Sequence, residues 1–159
     1  MKVGIIYNTN RKEATHQIVL WLHTALEQRD FEVIVGKMNK FQDFDCDAFI
    51  VGSAVYGFHV EKKFELFLGD KTEFLRNKPL ATFIVCYFTK LSKMYRRGIF
   101  KNIPSKPISH IAFKGYYNPS DIEKWDSDGQ KAKALQWVYE LERILTIPIK
   151  TREQEKVII

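Results

Sequence analysis

The chain has 159 residues, 45% of them apolar and 28% charged, with a formal net charge of +6. This length suits one domain with an ordinary core, and the composition excludes a disordered or membrane-embedded chain. The longest apolar runs, such as Phe83–Phe88, are far too short to cross a bilayer.

Met1–Tyr7 runs directly into a strand-like pattern without a small-residue cleavage site, so the expected location is cytoplasmic. Two cysteines, Cys46 and Cys86, make no disulfide framework or metal-ligand spacing and read as small apolar fillers. The charge is unevenly placed. No acidic residue lies between Glu73 and Asp121, whereas nine basic ones do, and outside that stretch sixteen basic residues face nineteen acidic ones. All the positive excess therefore falls in one third of the chain, and the expectation is a single basic face.

Lys2–Tyr7 is a β-branched run that reads as a buried parallel strand. Ala14, Ile18, Trp21, Leu22 and Ala25 then recur at helical spacing. Arg29-Asp30 breaks that helix, Phe31–Val35 is the second strand, and Gly36–Asp47 is irregular with a short helix around Asn39–Phe44. Ala48–Ser53 reads as the third strand, followed by a helical stripe of Val60, Phe64, Phe67, Leu68 and Phe74/Leu75. Pro79 closes that region, and Leu80–Phe88 is the most apolar strand. Ser92 is placed to cap a helix over Lys93–Lys101, with Met94 and Tyr95 spaced to meet Ile99, before Pro104 and Pro107. Ile108–Phe113 is the fifth strand. A loop with Tyr116, Tyr117 and Pro119 leads to a last helix, Ser127–Leu145, whose apolar face is Ala134, Leu135, Val138, Leu141, Ile144 and Leu145. The domain is expected over residues 1–147, with 148–159 a polar, frayed tail.

Strands that are apolar on both faces and alternate with helices imply an α/β three-layer sandwich: a five-stranded parallel sheet covered on both sides. Five such strands suit the doubly wound order 2-1-3-4-5, whose ligands sit beyond the carboxyl ends of strands 1, 3 and 4. Three loops follow from that rule. Asn8–Thr15, with Thr9, Asn10, Arg11, Lys12, Ala14 and Thr15, offers backbone N–H groups, hydroxyls, cations and a helix N-terminus for a phosphate, and serves equally as a capping turn. Gly52–His59, with Ala54, Val55, Tyr56 and Gly57, suits a planar ring lying on backbone and stacking on Tyr56, or a tight turn with an exposed Tyr. The third, Tyr87-Phe88-Thr89-Lys90, leads into the basic residues Lys93, Arg96, Arg97 and Lys101, which form either a partner face or a solvated helix surface. His16, His23, His59 and His110 show no metal spacing, no Walker loop, GxGxxG or nucleophile elbow is present, and Asn8 and Ser53 stand where a receiver domain needs acids.

Lys2–Thr15, the Gly52–His59 stretch with its Tyr56-Gly57 pair, and the basic segment after the fourth strand together resemble a flavodoxin over nearly the whole chain. Within that superfamily they are most similar to the single-domain bacterial protoporphyrinogen oxidases that pass electrons to menaquinone. The resemblance implies FMN held non-covalently, with its phosphate on Thr9–Thr15 and its ring between the Tyr56 and Tyr87–Lys90 loops. Flavodoxin phosphate loops read Ser/Thr-x-Thr-Gly-x-Thr; this one keeps Thr15, has Glu13 at the glycine and is one residue longer. Electron-shuttling flavodoxins are strongly acidic, unlike this chain.

Three functions follow as expectations. The first is an FMN oxidoreductase acting on an anionic substrate with a quinone acceptor, peripheral to an anionic membrane surface. The second is an electron carrier docking an acidic redox partner. The third is a cofactor-free binding module, with nucleic acid the less favoured partner. A homodimer is compatible with the helices.

Overall fold

The computed structural model describes residues 1–10, 14–116 and 118–147, so the expected Arg11 and Lys12 contacts, Glu13, Tyr117 and the tail 148–159 lie outside the described residues. Five strands run parallel: β1 (Lys2–Asn8), β2 (Glu32–Lys37), β3 (Ala48–Tyr56), β5 (Leu80–Cys86) and β6 (Ser109–Lys114), in the spatial order β2-β1-β3-β5-β6. This is the expected 2-1-3-4-5 arrangement of the long strands. A sixth, unforeseen strand, β4 (His59–Val60), folds back antiparallel on the end of β3.

Period-two alternation divides the sheet residues between two cores. Val3, Ile5, Ile50, Phe83 and Phe113 meet Ile18, Leu22 and Leu26 of α1 (Ala14–Glu27) and Trp137, Val138 and Leu141 of α6 (Ser127–Thr146). Ile6, Phe49, Val51 and Ile84 meet Phe64 and Leu68 of α2 (Lys62–Asp70), Leu75 of α3 (Thr72–Leu75), Tyr95 of α4 (Ser92–Tyr95) and Ile99 of α5 (Arg97–Phe100). Each fully buried side chain of this size stabilises the fold by about 1.5–3 kcal/mol.

Several expected elements take a different form. The Lys93–Lys101 helix is split into a 3₁₀ turn at Thr89–Leu91 and the short α4 and α5, and Ser92 makes no side-chain cap. Gly98 explains the close seating: a Cβ there would lie 2.4 Å from Glu65 Oε1 and 2.6 Å from Val60 Cγ2. Asn39–Phe44 forms no helix. Phe41 instead packs over Gly36, and Phe44 stacks on Phe74 at 4.7 Å, which leaves Phe74 half exposed at the surface. On α6 Leu135 is exposed and Ile144 half-buried, while Trp137 fills the core and donates to Ser109 Oγ at 2.8 Å.

The fold opposes protonation of His110 of β6. Its Nδ1 meets Thr82 Oγ1 at 2.6 Å, and its buried Nε2 has no partner among the described residues. Burial, with the nearby Arg96 charge second, pushes its pKa down to about 4 from 6.5. The unfolded chain therefore binds a proton that the folded chain refuses as pH falls from the ordinary value toward about 4. Stability is intact above that window and declines through it. Thr82→Val with His110→Leu, which replaces both partners by apolar groups, is expected to flatten this acid limb in urea titrations at pH 7 and pH 5. An unchanged slope would refute the assignment.

Candidate functional site

The carboxyl ends of β1, β3, β5 and β6 and the start of α1 enclose a small cleft that opens to solvent. Thr9 and Thr15 supply hydroxyls on one side, and Ala54, Val55 and Tyr56 come from the end of β3. Val85, Cys86 and Tyr87 come from the end of β5, and Gly115 and Tyr116 from the loop past β6. The floor is kept shallow by small residues. A Cβ on Gly115 would approach Val85 Cγ1 to 2.9 Å and the Ala14 methyl to 3.6 Å.

Tyr56 is half-buried and reaches from β3 across to the first loop. Its hydroxyl lies 3.1 Å from Thr9 Oγ1 and accepts the Asn10 backbone N–H at 2.8 Å. A phenolic oxygen thus stands where the amide of an anion-binding loop would meet an acceptor. The turn after Tyr56 is a two-residue hairpin, since Tyr56 pairs with His59 and Gly57 has φ 68°. Positive φ at the first central position is what a type II′ hairpin requires, and glycine supplies it without strain.

A polar network continues on the α2 side of the cleft. Asn8 Nδ2 donates to Glu61 Oε1 at 3.0 Å and to Ser53 Oγ at 3.3 Å. Lys63 Nζ donates to Asn10 Oδ1 at 2.8 Å and lies 3.6 Å from Glu61. The network ties the first loop to the hairpin and α2 through groups distant in sequence. Cys86, by contrast, carries no reactive thiolate: burial raises its pKa to about 11, so it forms an apolar wall.

Of the expected site residues, Thr9, Ala14, Thr15, Ala54, Val55, Tyr56 and Tyr87 come together in the cleft. Asn10 touches it through the Tyr56 hydroxyl. Gly57 forms the hairpin turn, while Phe88, Thr89 and Lys90 lie on the flank, with Phe88 edge-on to Tyr87 at 4.8 Å. Gly52, read as part of a ring-binding loop, is instead inside β3 against Phe83.

The basic third is divided. Arg76 and Lys78 precede β5 and Lys106 precedes β6, whereas Lys90, Lys93 and Lys114 lie near the strands' carboxyl ends. The seven residues of β5 put roughly 20 Å between those two groups. Lys101 lies 3.8 Å from Glu65 Oε1, and Arg96 lies over the Phe100 ring at 4.9 Å. Lys93 and Arg97 remain exposed. An acid-free stretch of sequence is therefore not an acid-free surface.

Val85, Cys86, Gly115 and Tyr116 were not singled out as cleft residues, although the strand-end rule applied to the fifth long strand points to the last two. Asn8, Ser53, Glu61 and Lys63 carry no local signal of their network. Among the described residues no group of three or more His, Cys, Asp or Glu is placed to hold a metal, and no helix is long and apolar enough to cross a membrane.

Known proteins share this architecture. The chain is similar to oxidised flavodoxin 1 from Bacillus cereus, with a TM-score of 0.62 and 13% identity, covering 90% of this chain and 98% of that one. It is also similar to a Fusobacterium nucleatum flavodoxin bound to flavin mononucleotide, with a TM-score of 0.63 and 11% identity over 89% and 97% of the two chains. A flavo di-iron protein mutant from Thermotoga maritima aligns with a TM-score of 0.66 and 17% identity, over 91% of this chain and 36% of that one. At these identities the likeness is one of fold. No curated protein matches the sequence at a significant level. A flavodoxin domain family model matches residues 5–125, more than half of the chain, and the chain therefore belongs to the flavodoxin domain family.

Proposed function

We propose that the chain is a redox flavoprotein that holds FMN in the cleft at the carboxyl ends of β1, β3, β5 and β6. The observation that carries this reading is the composition of that cleft. Two threonine hydroxyls beside the start of α1 suit a phosphate, while Ala14, Ala54 and Gly115 beneath three tyrosines suit a planar ring. The residues present fit the cofactor. Bound there, the flavin supplies reversible one- or two-electron chemistry. Thr9 and Thr15 would orient the phosphate end and Tyr87 and Tyr116 would exclude water from the ring, while the Asn8–Glu61–Lys63 network holds the first loop against α2.

A second reading makes the protein an enzyme that oxidises an anionic substrate of the protoporphyrinogen type and passes electrons to a quinone. Exposed Lys90, Lys93 and Arg97 beside exposed Phe88, Leu91 and Met94 favour it, because the mixture suits a carboxylated apolar molecule or an anionic lipid surface. Purified protein mixed with FMN is expected to retain the visible flavin absorption band after gel filtration. Loss of all flavin would overturn both readings. Anaerobic incubation of the loaded protein with protoporphyrinogen and a menaquinone analogue then separates them: salt-sensitive turnover supports the enzyme, and reduction without turnover supports a carrier.

A further inference from the structure

Beyond Gly115 a second cleft of about 260 Å³ continues the first, sharing Tyr87, Gly115 and Tyr116 with it. Its back wall is the Trp125 indole, held in place from three sides. Trp125 Nε1 donates to the Lys114 carbonyl at 2.6 Å, its ring stacks on Trp21 at 5.8 Å and 15°, and Tyr116 meets it edge-on at 5.3 Å. The Lys114 backbone is fixed in turn, because its N–H donates to Gln130 Oε1 at 2.9 Å. Half-exposed Tyr87 also lines the cleft, with Lys114 Nζ 5.7 Å from its ring centroid. The aromatic surfaces are therefore set before any ligand arrives, which lowers the ordering cost of binding a flat molecule.

Charge narrows the ligand further. Lys114, Lys124, Asp121 and Asp126 line the cleft, but the Asp126 carboxylate is engaged at the start of α6, where it accepts the Gly129 N–H at 3.0 Å. No carboxylate among the described residues pairs with Lys114 or Lys124. Asp126 keeps its charge but sets it against the positive N-terminus of α6, so two ammonium groups, Asp121 and the capped Asp126 leave a small positive excess that suits one negative charge and no more. A cleft of this size suits a ligand of one or two rings.

We propose that this cleft is a binding site for a planar one- or two-ring aromatic monoanion, seated on Trp125 and Tyr87 with its charge between Lys114 and Lys124. Its role as the redox partner of the neighbouring cleft rests on the FMN reading; the binding itself does not. The site gives the protein a small aromatic acid as ligand class.

The test uses 1,4-naphthoquinone-2-sulfonate, a flat two-ring monoanion, titrated calorimetrically into the full chain with and without FMN. Saturable binding in both forms is expected, weakened at least about fivefold by Lys114→Gln with Lys124→Gln and by raised salt, while the neutral parent quinone is unaffected by the substitutions. The variants must keep the wild-type melting temperature; if the Lys pair does not, Tyr116→Ala, which removes the edge contact to Trp125, replaces it as the weakening variant. Binding that disappears once FMN is bound would place the probe in the cofactor cleft and overturn the proposal. So would the absence of saturable binding, or affinities that none of these substitutions moves. Failure of the protein to take up FMN leaves the cofactor-free titration to decide the matter.

Discussion

Gly52→Ala is expected to destabilise the protein by about 3 kcal/mol, at the upper end of the range for overpacked cores. The added methyl would lie 2.2–2.3 Å from three atoms of the Phe83 ring. That ring has no freedom to retreat. Phe83 is fully buried and held edge-on by Phe113 at 6.3 Å and Trp137 at 6.4 Å. A loss of this size is a large share of the 5–15 kcal/mol typical of a domain. Urea unfolding would show it as a lower midpoint with an unchanged slope. Phe83→Leu should cost stability alone, by opening a cavity, yet relieve the clash in combination. The double variant is therefore expected to be more stable than the sum of the single losses predicts. A Gly52→Ala protein within about 0.5 kcal/mol of wild type would mean that β3 and β5 can part without cost.

The second large effect concerns Tyr56, where two substitutions separate the ring from the hydroxyl. Tyr56→Ala removes the ring from the cleft together with both hydrogen bonds to the first loop, and FMN affinity is expected to fall at least about tenfold, or 1.4 kcal/mol. Tyr56→Phe keeps the ring and loses only the bonds to Thr9 Oγ1 and the Asn10 amide. Each such bond contributes about 1 kcal/mol net, so stability should fall by about 1–2 kcal/mol with FMN affinity changed by less than about fivefold. Fluorescence titration of FMN measures both. Equal losses of affinity in the two variants would assign the contact to the hydroxyl, and no loss in either would remove Tyr56 from the cofactor site.

The Tyr56 case also shows where reading a sequence stops. The aromatic at the end of the third strand was legible, because doubly wound sheets place their ligands at strand ends. Its tie to Thr9 and Asn10 was not, because it depends on β3 running three residues past Ser53 and turning back as a hairpin. Hairpin pairing of only two residues leaves no periodic pattern. Gly115 and Tyr116 follow from the same rule once it is extended to the end of the fifth strand, beyond the three loops after strands 1, 3 and 4.

What the sequence determined by itself is the layered architecture. A parallel strand buried on both faces must be apolar at every position, and a covering helix must be apolar on one side, so the order of strands and helices is written locally. The positions of the loops that could hold a phosphate and a ring follow from that order. Only the tertiary structure decided how the basic residues are shared out, since strands about 20 Å long carry neighbours in sequence to opposite ends of the sheet. It also decided that Gly52 packs on Phe83, that Lys101 meets Glu65, and that Trp125, Tyr116 and Tyr87 enclose a second cleft. Those facts are meetings between residues far apart in the chain, and no local periodicity encodes them.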